Sequence, residues 1–236
     1  MRFQNAFFIF IPPLQDKKTK MTKINKRNKI ILAILFFGPL IFYLTLLTGT
    51  HQYTKLPVLT QQVENISSFK QAGNLAFTDH VTIVAFFGKD LLLHKTNALN
   101  LNEKIYKNFY GYPDFQMVIV LPAGSETEAA QLKKEMGTFA NIEKWYFVFL
   151  QDSEINALFN SFKTPYTLDP NFYTPYAFII DKQLNLRGRG EDKEEDGPLF
   201  GYNAETVAVI HQKMVDDVKV LMSEYRLALK RTKDKG

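Results

Sequence analysis

Cysteine is absent from this chain of 236 residues. Thiol–disulfide exchange requires a thiolate that attacks a disulfide sulfur, so the composition excludes this redox chemistry for the chain itself. A lipoprotein anchor, which needs a cysteine after the apolar segment, is excluded for the same reason. The G-x-S-x-G, P-loop and H-E-x-x-H motifs, which mark several classes of enzyme, are also missing. We therefore expect no enzymatic activity, no cofactor and no small-molecule ligand.

Positive charge is concentrated at the amino-terminal end of the chain. The formal net charge is +5. Residues 1–50 hold eight basic residues and one acidic residue, a net charge of +7, which leaves −2 for the remainder. A basic excess that lies beside an apolar run is typical of membrane topology rather than of nucleic-acid binding. We expect a membrane contact and no nucleic-acid partner.

Charged side chains are missing from residues 30–48. An α-helix over this segment would be roughly 28 Å long, about the thickness of the hydrocarbon core of a bilayer. We predict a single transmembrane helix; a cleaved signal peptide and a buried core helix are the alternatives. Because the basic residues precede the segment, the amino terminus should be cytoplasmic and the following domain should lie outside the cytoplasm, in the periplasm or its equivalent.

The predicted organisation has four parts: a cytoplasmic basic segment at 1–29, the transmembrane helix at 30–48, a linker at 49–65 and a globular domain at 66–232. Met21 opens a short basic stretch that would be an ordinary lead-in to the anchor. We therefore hypothesise that translation starts at Met21 and that residues 1–20 are an upstream extension.

The globular part alternates strand and helix patterns. Apolar runs predict strands at Val81–Phe87, 115–121, Trp145–Leu150, 176–181 and 184–187, and the last two are close enough for an antiparallel hairpin. Helical periodicity predicts helices at 101–110, after 125, after 152 and from 203 to about 230. The expected N-caps are Asn100, Ser125 (with Glu128 in a capping box), Asp152 and Asn203.

This β-α-β-α-β-α-β-β-α order, with Thr174-Pro175 just before the fourth strand, resembles the α/β thioredoxin-like fold. Within that fold the chain resembles the Sco/SenC family over roughly 56–230. The resemblance rests on the amino-terminal anchor, Ala85-Phe86-Phe87-Gly88 at a strand end, LQDSEINALFNSF and the closing TPYAFIIDKQLNLRGRG. It implies a membrane-anchored protein outside the cytoplasm, in a family that delivers copper and electrons during cytochrome c oxidase assembly.

The residues that the resemblance would make functional are replaced in this chain. Sco proteins hold copper with a C-x3-C pair after the strand that corresponds to Val81–Phe87 and with a histidine before the hairpin. Here the first position reads Lys89-Asp90-Leu91-Leu92-Leu93-His94 and the second reads Asn171-Phe172-Tyr173-Thr174. Asp90 and His94 have the spacing of the family's cysteines and could bind a divalent metal if the segment were helical, but two ligands are few.

Two hypotheses follow. The favoured one is a non-redox binding or assembly module for a protein partner, which could act in respiratory oxidase biogenesis. The alternative is a chemically active protein: either a metal carrier, for copper, through Asp90 and His94, or an enzyme with an unrecognised site. Leucines 91–93 either fill the position that the copper site occupies in Sco proteins or contact the partner. Exposure as one patch of Phe86, Phe87, Tyr110, Tyr112, Tyr173 and Tyr176 would favour binding. The candidate partner-binding residues are Lys89, Leu91, Leu92, Leu93, Tyr173 and Pro175.

A few charged residues have simpler explanations. Arg187 and Arg189, beside Gly188 and Gly190 that we expect at positive φ, should pair with the acidic loop 191–196 rather than hold an anionic partner. The acidic loop itself should be a solvated turn. His51, His80 and His211 have no apparent ligand partner.

Overall fold

The computed structural model describes residues 25–47, 55–138, 140–192 and 197–233. The chain divides into two compact units, 1–52 and 53–236. In the first unit, helix α1 covers Lys26–Leu47, so it begins four residues before the apolar run that we assigned to the membrane. None of its apolar span is buried in protein, which argues against a core helix, and its length and composition fit a membrane anchor. The proposed extension at 1–20, His51 and Thr48 lie outside the described residues.

The second unit is built on a mixed sheet. Its main strands are β1 (Val58–Thr60), β2 (Val81–Phe87), β3 (Phe115–Pro122), β4 (Trp145–Leu150), β5 (Tyr173–Ile180) and β6 (Leu186–Arg187). Their order in the sheet is β1-β6-β5-β2-β3-β4. β2, β3 and β4 are parallel, whereas β5 is antiparallel to both β2 and β6. The predicted closing hairpin is therefore present, although β5 begins at Tyr173, so Pro175 lies inside the strand rather than before it.

Two smaller pairings complete the sheets. β7 (Arg189–Asp192) and β8 (Gly197–Leu199) form a separate antiparallel ribbon, and β9 (Tyr202–Asn203) pairs with β5. Residues 191 and 192 of the predicted acidic turn are thus in a strand, and 193–196 lie outside the described residues. β1 also corrects the sequence analysis, because residues 58–60 were assigned to the linker and instead pair with β6.

Among the described residues of the second unit, four longer helices cover the sheet, two of them composite, and two short 3-10 helices, Ile66–Ser68 and Lys70–Ala72, precede β2. Helix α2 comprises Lys95–Leu101, a π-helical segment Asn102–Tyr106 and a last turn Lys107–Phe109. Helices α3 and α4 cover Glu126–Gly137 and Asp152–Ser161. Helix α5 comprises Val207–Val209, a π-helical segment Ile210–Met214 and the long segment Val215–Lys233.

Three of the four predicted helix starts were wrong, and at α2 a long-range contact uses the expected capping side chain. Asn100 lies inside α2 and donates from Nδ2 to the carbonyl oxygen of Ala204 at 3.0 Å. Helix α3 begins directly after Ser125, as predicted, although the Ser125 side chain makes no capping hydrogen bond. The cap of α4 is Gln151, in a capping box with Glu154, rather than Asp152. Asn203 lies in β9, and α5 begins after Thr206.

A separate apolar core lies on each face of the sheet. The side chains of Ile83, Ala85 and Phe87 join one core with α2, α3 and α5, whereas those of Val84 and Phe86 join the other with α4. This follows from the alternation of side chains along a strand. All seven residues of β2 are buried, as expected for a central strand that is covered on both faces.

A buried ionic network joins the hairpin to α5. Arg187 donates to Asp181 Oδ2 at 2.9 Å, to Glu224 Oε2 at 2.8 Å and, through Nε, to the carbonyl oxygen of Leu56 at 2.9 Å. Arg189 donates to Asp217 Oδ2 at 2.7 Å. Burial alone would lower the pKa of Arg187, but its hydrogen bonds with Asp181 and Glu224 raise that pKa.

The arginines therefore pair internally, as predicted, but mainly with α5 and with the strand end rather than with the acidic loop. Gly188 and Gly190 are not among the described glycines with positive φ. Gly188 is required by a close approach instead, since a Cβ there would lie 2.2 Å from the carbonyl oxygen of Leu199.

Candidate functional site

The segment after β2 forms two successive tight turns rather than a helix. The backbone N–H of Leu93 donates to the Asp90 carbonyl at 3.0 Å, and that of His94 donates to the Leu91 carbonyl at 3.1 Å. Helix α2 begins only at Lys95. The helical arrangement that would have placed Asp90 and His94 on one face is therefore absent.

Asn171, in the loop before β5, fastens the start of this segment. Gly88 has a φ of +69°, and a Cβ at this position would lie 2.7 Å from the Asn171 carbonyl oxygen. The backbone N–H of Lys89 donates to that same oxygen at 2.9 Å. The Asn171 amide Nδ2 donates to Asp90 Oδ2 at 3.0 Å. Two loops that are distant in sequence are thus joined by one asparagine, and Gly88 permits their close approach.

His94 fastens the other end of the segment. Its ring stacks on Tyr173, with centroids 3.4 Å apart and planes inclined by 8°. The Tyr173 hydroxyl donates to Glu205 Oε1 at 2.6 Å and accepts from Asn97 Nδ2 at 2.9 Å. Burial raises the pKa of Tyr173, and the hydrogen bond to Glu205 raises it further. The phenol therefore stays neutral and holds β5 against α2 and the start of α5.

The three leucines between Asp90 and His94 have different environments. Leu91 is 0% exposed and belongs to the core that faces α2, α3 and α5, whereas Leu93 is 78% exposed. Leu92 is half-buried, and its backbone N–H donates to Glu128 Oε2 at 3.3 Å. Glu128 thus binds the loop instead of forming the predicted capping box. The segment both plugs the core and presents an apolar side chain to solvent.

The remaining predicted partner-binding residues lie around the same loop. Lys89 is exposed, and its ammonium lies 5.4 Å from the centre of the Phe172 ring. Pro175 is half-buried in β5, where its carbonyl accepts from the backbone N–H of Ala204 at 2.8 Å. Pro175 therefore has a structural contact in addition to any contact with a partner.

The six aromatic residues whose joint exposure would have favoured binding do not form one exposed patch. Phe86 and Phe87 are buried on opposite faces of the sheet, in the two separate cores. Tyr110 and Tyr112 are 48% and 36% exposed, but they precede β3 and lie at the opposite edge of the sheet from Gly88. Exposed aromatic rings therefore give no support to the binding hypothesis, which depends on Leu93 instead.

Sequence reasoning missed the polar residues that shape the loop before β5. Phe172 has a φ of +64°, which is rare for a large side chain and marks local strain. Asp169 holds this turn, since its Oδ1 accepts from the backbone N–H groups of Asn171 and Tyr173, both at 2.8 Å. The Asp169-Pro170-Asn171 composition is typical of such a turn and could have predicted it. No local signal indicates the roles of Asn97 and Glu205.

No group of three or more metal-ligating side chains occurs among the described residues. Asp90 and His94, the predicted pair of metal ligands, contact different partners: Asn171 and Tyr173 respectively. The binding of a metal by this pair stays a prediction.

Three of the solved structures that match this chain show the extent of the similarity. BsSco, a member of the Sco family of cytochrome c oxidase assembly proteins, matches with 15% identity and a TM-score of 0.50, over 73% of this chain and 99% of that chain. Sco1 from Thermus thermophilus matches with 13% identity and a TM-score of 0.45, over 73% and 99%. The thioredoxin domain of a thiol-disulfide oxidoreductase from Bacteroides vulgatus matches with 15% identity and a TM-score of 0.35, over 56% and 83%.

Neither a protein-family model nor a curated protein matches the sequence. At such identities the structural likeness shows the fold alone. It confirms the α/β thioredoxin-like fold predicted from the order of strands and helices, and the resemblance to Sco proteins is confirmed at that level.

Proposed function

We propose that this chain is a membrane-anchored, non-redox thioredoxin-like module that binds a protein partner through the loop after β2. The observation that carries the proposal is the exposure of Leu93, at 78%, in a loop whose neighbouring residues are fixed. An exposed leucine on a rigid support can bind with little loss of conformational entropy. The chain has no thiol for the redox chemistry of this fold.

The fixed state of the loop supports binding rather than group transfer. Leu91 is in the core, Leu92 is hydrogen-bonded to Glu128, and His94 is stacked on Tyr173. Lys89, Asp90 and Leu93 are exposed; because Asp90 accepts a hydrogen bond from Asn171, the pair left for a partner is Lys89 and Leu93. A partner surface with an apolar pocket and an acidic rim would complement this pair.

We propose that the thioredoxin-like domain acts on the extracytoplasmic side of the cytoplasmic membrane. This location is supported by the basic residues before α1 and by the fit of α1 to a membrane span. The fold that the chain shares with BsSco suggests a process: assembly of a respiratory oxidase, in which the module would hold a subunit or another assembly protein.

In vivo photocrosslinking tests the proposal. A photoreactive amino acid at position 93 of the full chain, in native membranes, is expected to give a specific adduct with one protein. Position 110 is the matched control, since Tyr110 is a large exposed side chain at the opposite edge of the sheet. Adducts that are the same from both positions, or none from position 93, would contradict the proposal.

Calorimetry separates this function from metal transport. Titration of the full chain with Cu(II) and Zn(II) is compared with titration of an Asp90→Ala/His94→Ala variant. Binding that the variant loses would favour the metal carrier, since Asp90 and His94 would then act together as ligands.

A further inference from the structure

The second unit has an uneven distribution of charge. Residues 51–225 hold 16 basic and 22 acidic residues, a net charge of −6. Residues 226–236, which we call the basic tail, hold five basic residues and one acidic residue, a net charge of +4. An anionic surface would therefore repel the body of the unit and attract its tail.

Most of the basic tail continues the long segment of α5, which ends at Lys233. Arg226, Lys230 and Lys233 follow one another at spacings of four and three residues, which places these positions on one side of a helix. Arg226 is exposed, and its one described contact is a long hydrogen bond of 3.5 Å with the Tyr112 hydroxyl. This positive charge is therefore available to a partner outside the domain.

Hydrogen bonds join Leu56, at the start of the domain, to α5, the helix that bears the basic tail. The backbone N–H of Leu56 donates to Glu224 Oε1 at 2.6 Å, and its carbonyl accepts from Arg187, which also binds Glu224. Glu224 is two residues before the basic tail. Eight residues, 48–55, connect the end of α1 to Leu56, and such a chain spans at most about 28 Å. The sequence therefore allows only a short tether between a membrane-spanning α1 and Leu56.

We propose that the basic tail binds the anionic headgroups of the membrane that holds α1, as a second contact that orients the domain. Each basic residue near an anionic membrane surface contributes to such binding, and salt weakens it. The simpler role of these charges is to interact with the carbonyl end of the α5 dipole. The proposal depends on the anchor but not on the partner-binding loop, so the two can fail independently.

The absence of cysteine allows a direct test, because one introduced cysteine can be labelled at a single position. A fluorophore on Gly236→Cys of the full chain is placed in nanodiscs of phosphatidylcholine, alone or mixed with phosphatidylglycerol. Quenching by headgroup-labelled lipid reports contact of the tail with the surface. The same label on Ser153→Cys, an exposed position at the start of α4, is the reference.

Charge variants identify the cause of any quenching. One variant replaces four tail residues by glutamine: Lys230, Arg231, Lys233 and Lys235. The matched control replaces four exposed lysines of the body: Lys70, Lys133, Lys134 and Lys163. The tail variant is expected to lower the bound-to-free ratio of the tail more than about tenfold, and the control is expected to leave it unchanged.

Several results would overturn the proposal. Equal quenching in the two lipid compositions, or quenching that high salt does not reduce, would exclude an electrostatic contact with lipid. A tail variant that melts at a lower temperature but is quenched like the parent chain would show that the charges serve the helix dipole. Quenching that requires two chains in one nanodisc would assign the tail to the acidic body of a second copy.

Discussion

Leu91→Ala and Leu93→Ala, two residues apart in one loop, should have very different effects on stability. Leu91 is 0% exposed and packs in the core, so its truncation removes buried apolar surface and leaves a cavity. Such changes cost about 3 kcal/mol. Leu93 is 78% exposed, and surface truncations change the free energy of unfolding by about 0.5 kcal/mol or less. For a domain of this size, the Leu91 variant should melt about 6–12 °C below the parent chain.

The single tryptophan of the chain is a convenient probe, because Trp145 is 2% exposed in β4 and α1 has none. Urea or thermal unfolding of the full chain in detergent, followed by tryptophan fluorescence, therefore reports on the second unit. A Leu93 variant that is destabilised as much as the Leu91 variant would show that the loop is packed differently. It would also remove the observation on which the proposed binding function depends.

Two further predictions concern hydroxyl groups. Thr174→Val should stabilise the chain by about 1 kcal/mol, because the buried Thr174 hydroxyl has no hydrogen-bond partner; Thr82→Val is the control and should destabilise it, because the Thr82 hydroxyl accepts from Gln116 at 2.8 Å. The free energy of unfolding of each variant is measured in urea, and a change of the same sign for both variants would contradict this prediction. Burial, and then the charge of Asp181, raises the pKa of Tyr225 to about 12. A raised pKa stabilises the fold below the unfolded value near 10, and this contribution is lost as the pH rises towards 12. Tyr225→Phe should therefore lose stability less steeply over this range, and equal slopes for variant and parent would refute the assignment.

The sheet could be predicted well from sequence because its central strands are continuous apolar runs. β2 and β4 have the predicted bounds, and β3 extends one residue further. β1 has only three residues, and it pairs with β6, more than a hundred positions away. No local pattern could reveal that pairing.

Helix starts were predicted less well for a physical reason. Asn100 and Glu128 have side chains suited to capping, but each binds a distant backbone group instead: the Ala204 carbonyl and the Leu92 N–H. A capping side chain contributes about 1 kcal/mol, which a tertiary hydrogen bond can match. Sequence alone gives no means to choose between the two.

The loop after β2 was chosen from sequence as the candidate site, but its conformation was not predicted. The position after β2 was predicted to differ from the copper site of the related fold, and the alternatives were a plug or a partner contact. In the structure Leu91 is buried, as a plug requires, and Leu93 is exposed, as a partner contact would require. Turns place successive side chains on different sides, whereas the predicted arrangement assumed one helical face.

The loop after β2 and the loop before β5, which correspond to the segments that bear metal ligands in Sco proteins, contact each other directly. The Asn171 backbone lies close to Gly88 and accepts a hydrogen bond from Lys89, and the Asn171 side chain donates to Asp90. The Tyr173 ring stacks on His94. These contacts are made by protein groups alone, and the chain has no cysteine for a disulfide bond. A loop held in this way retains its shape while Leu93 remains exposed, which is the property that a binding surface needs and that a ligand-exchanging metal carrier does not.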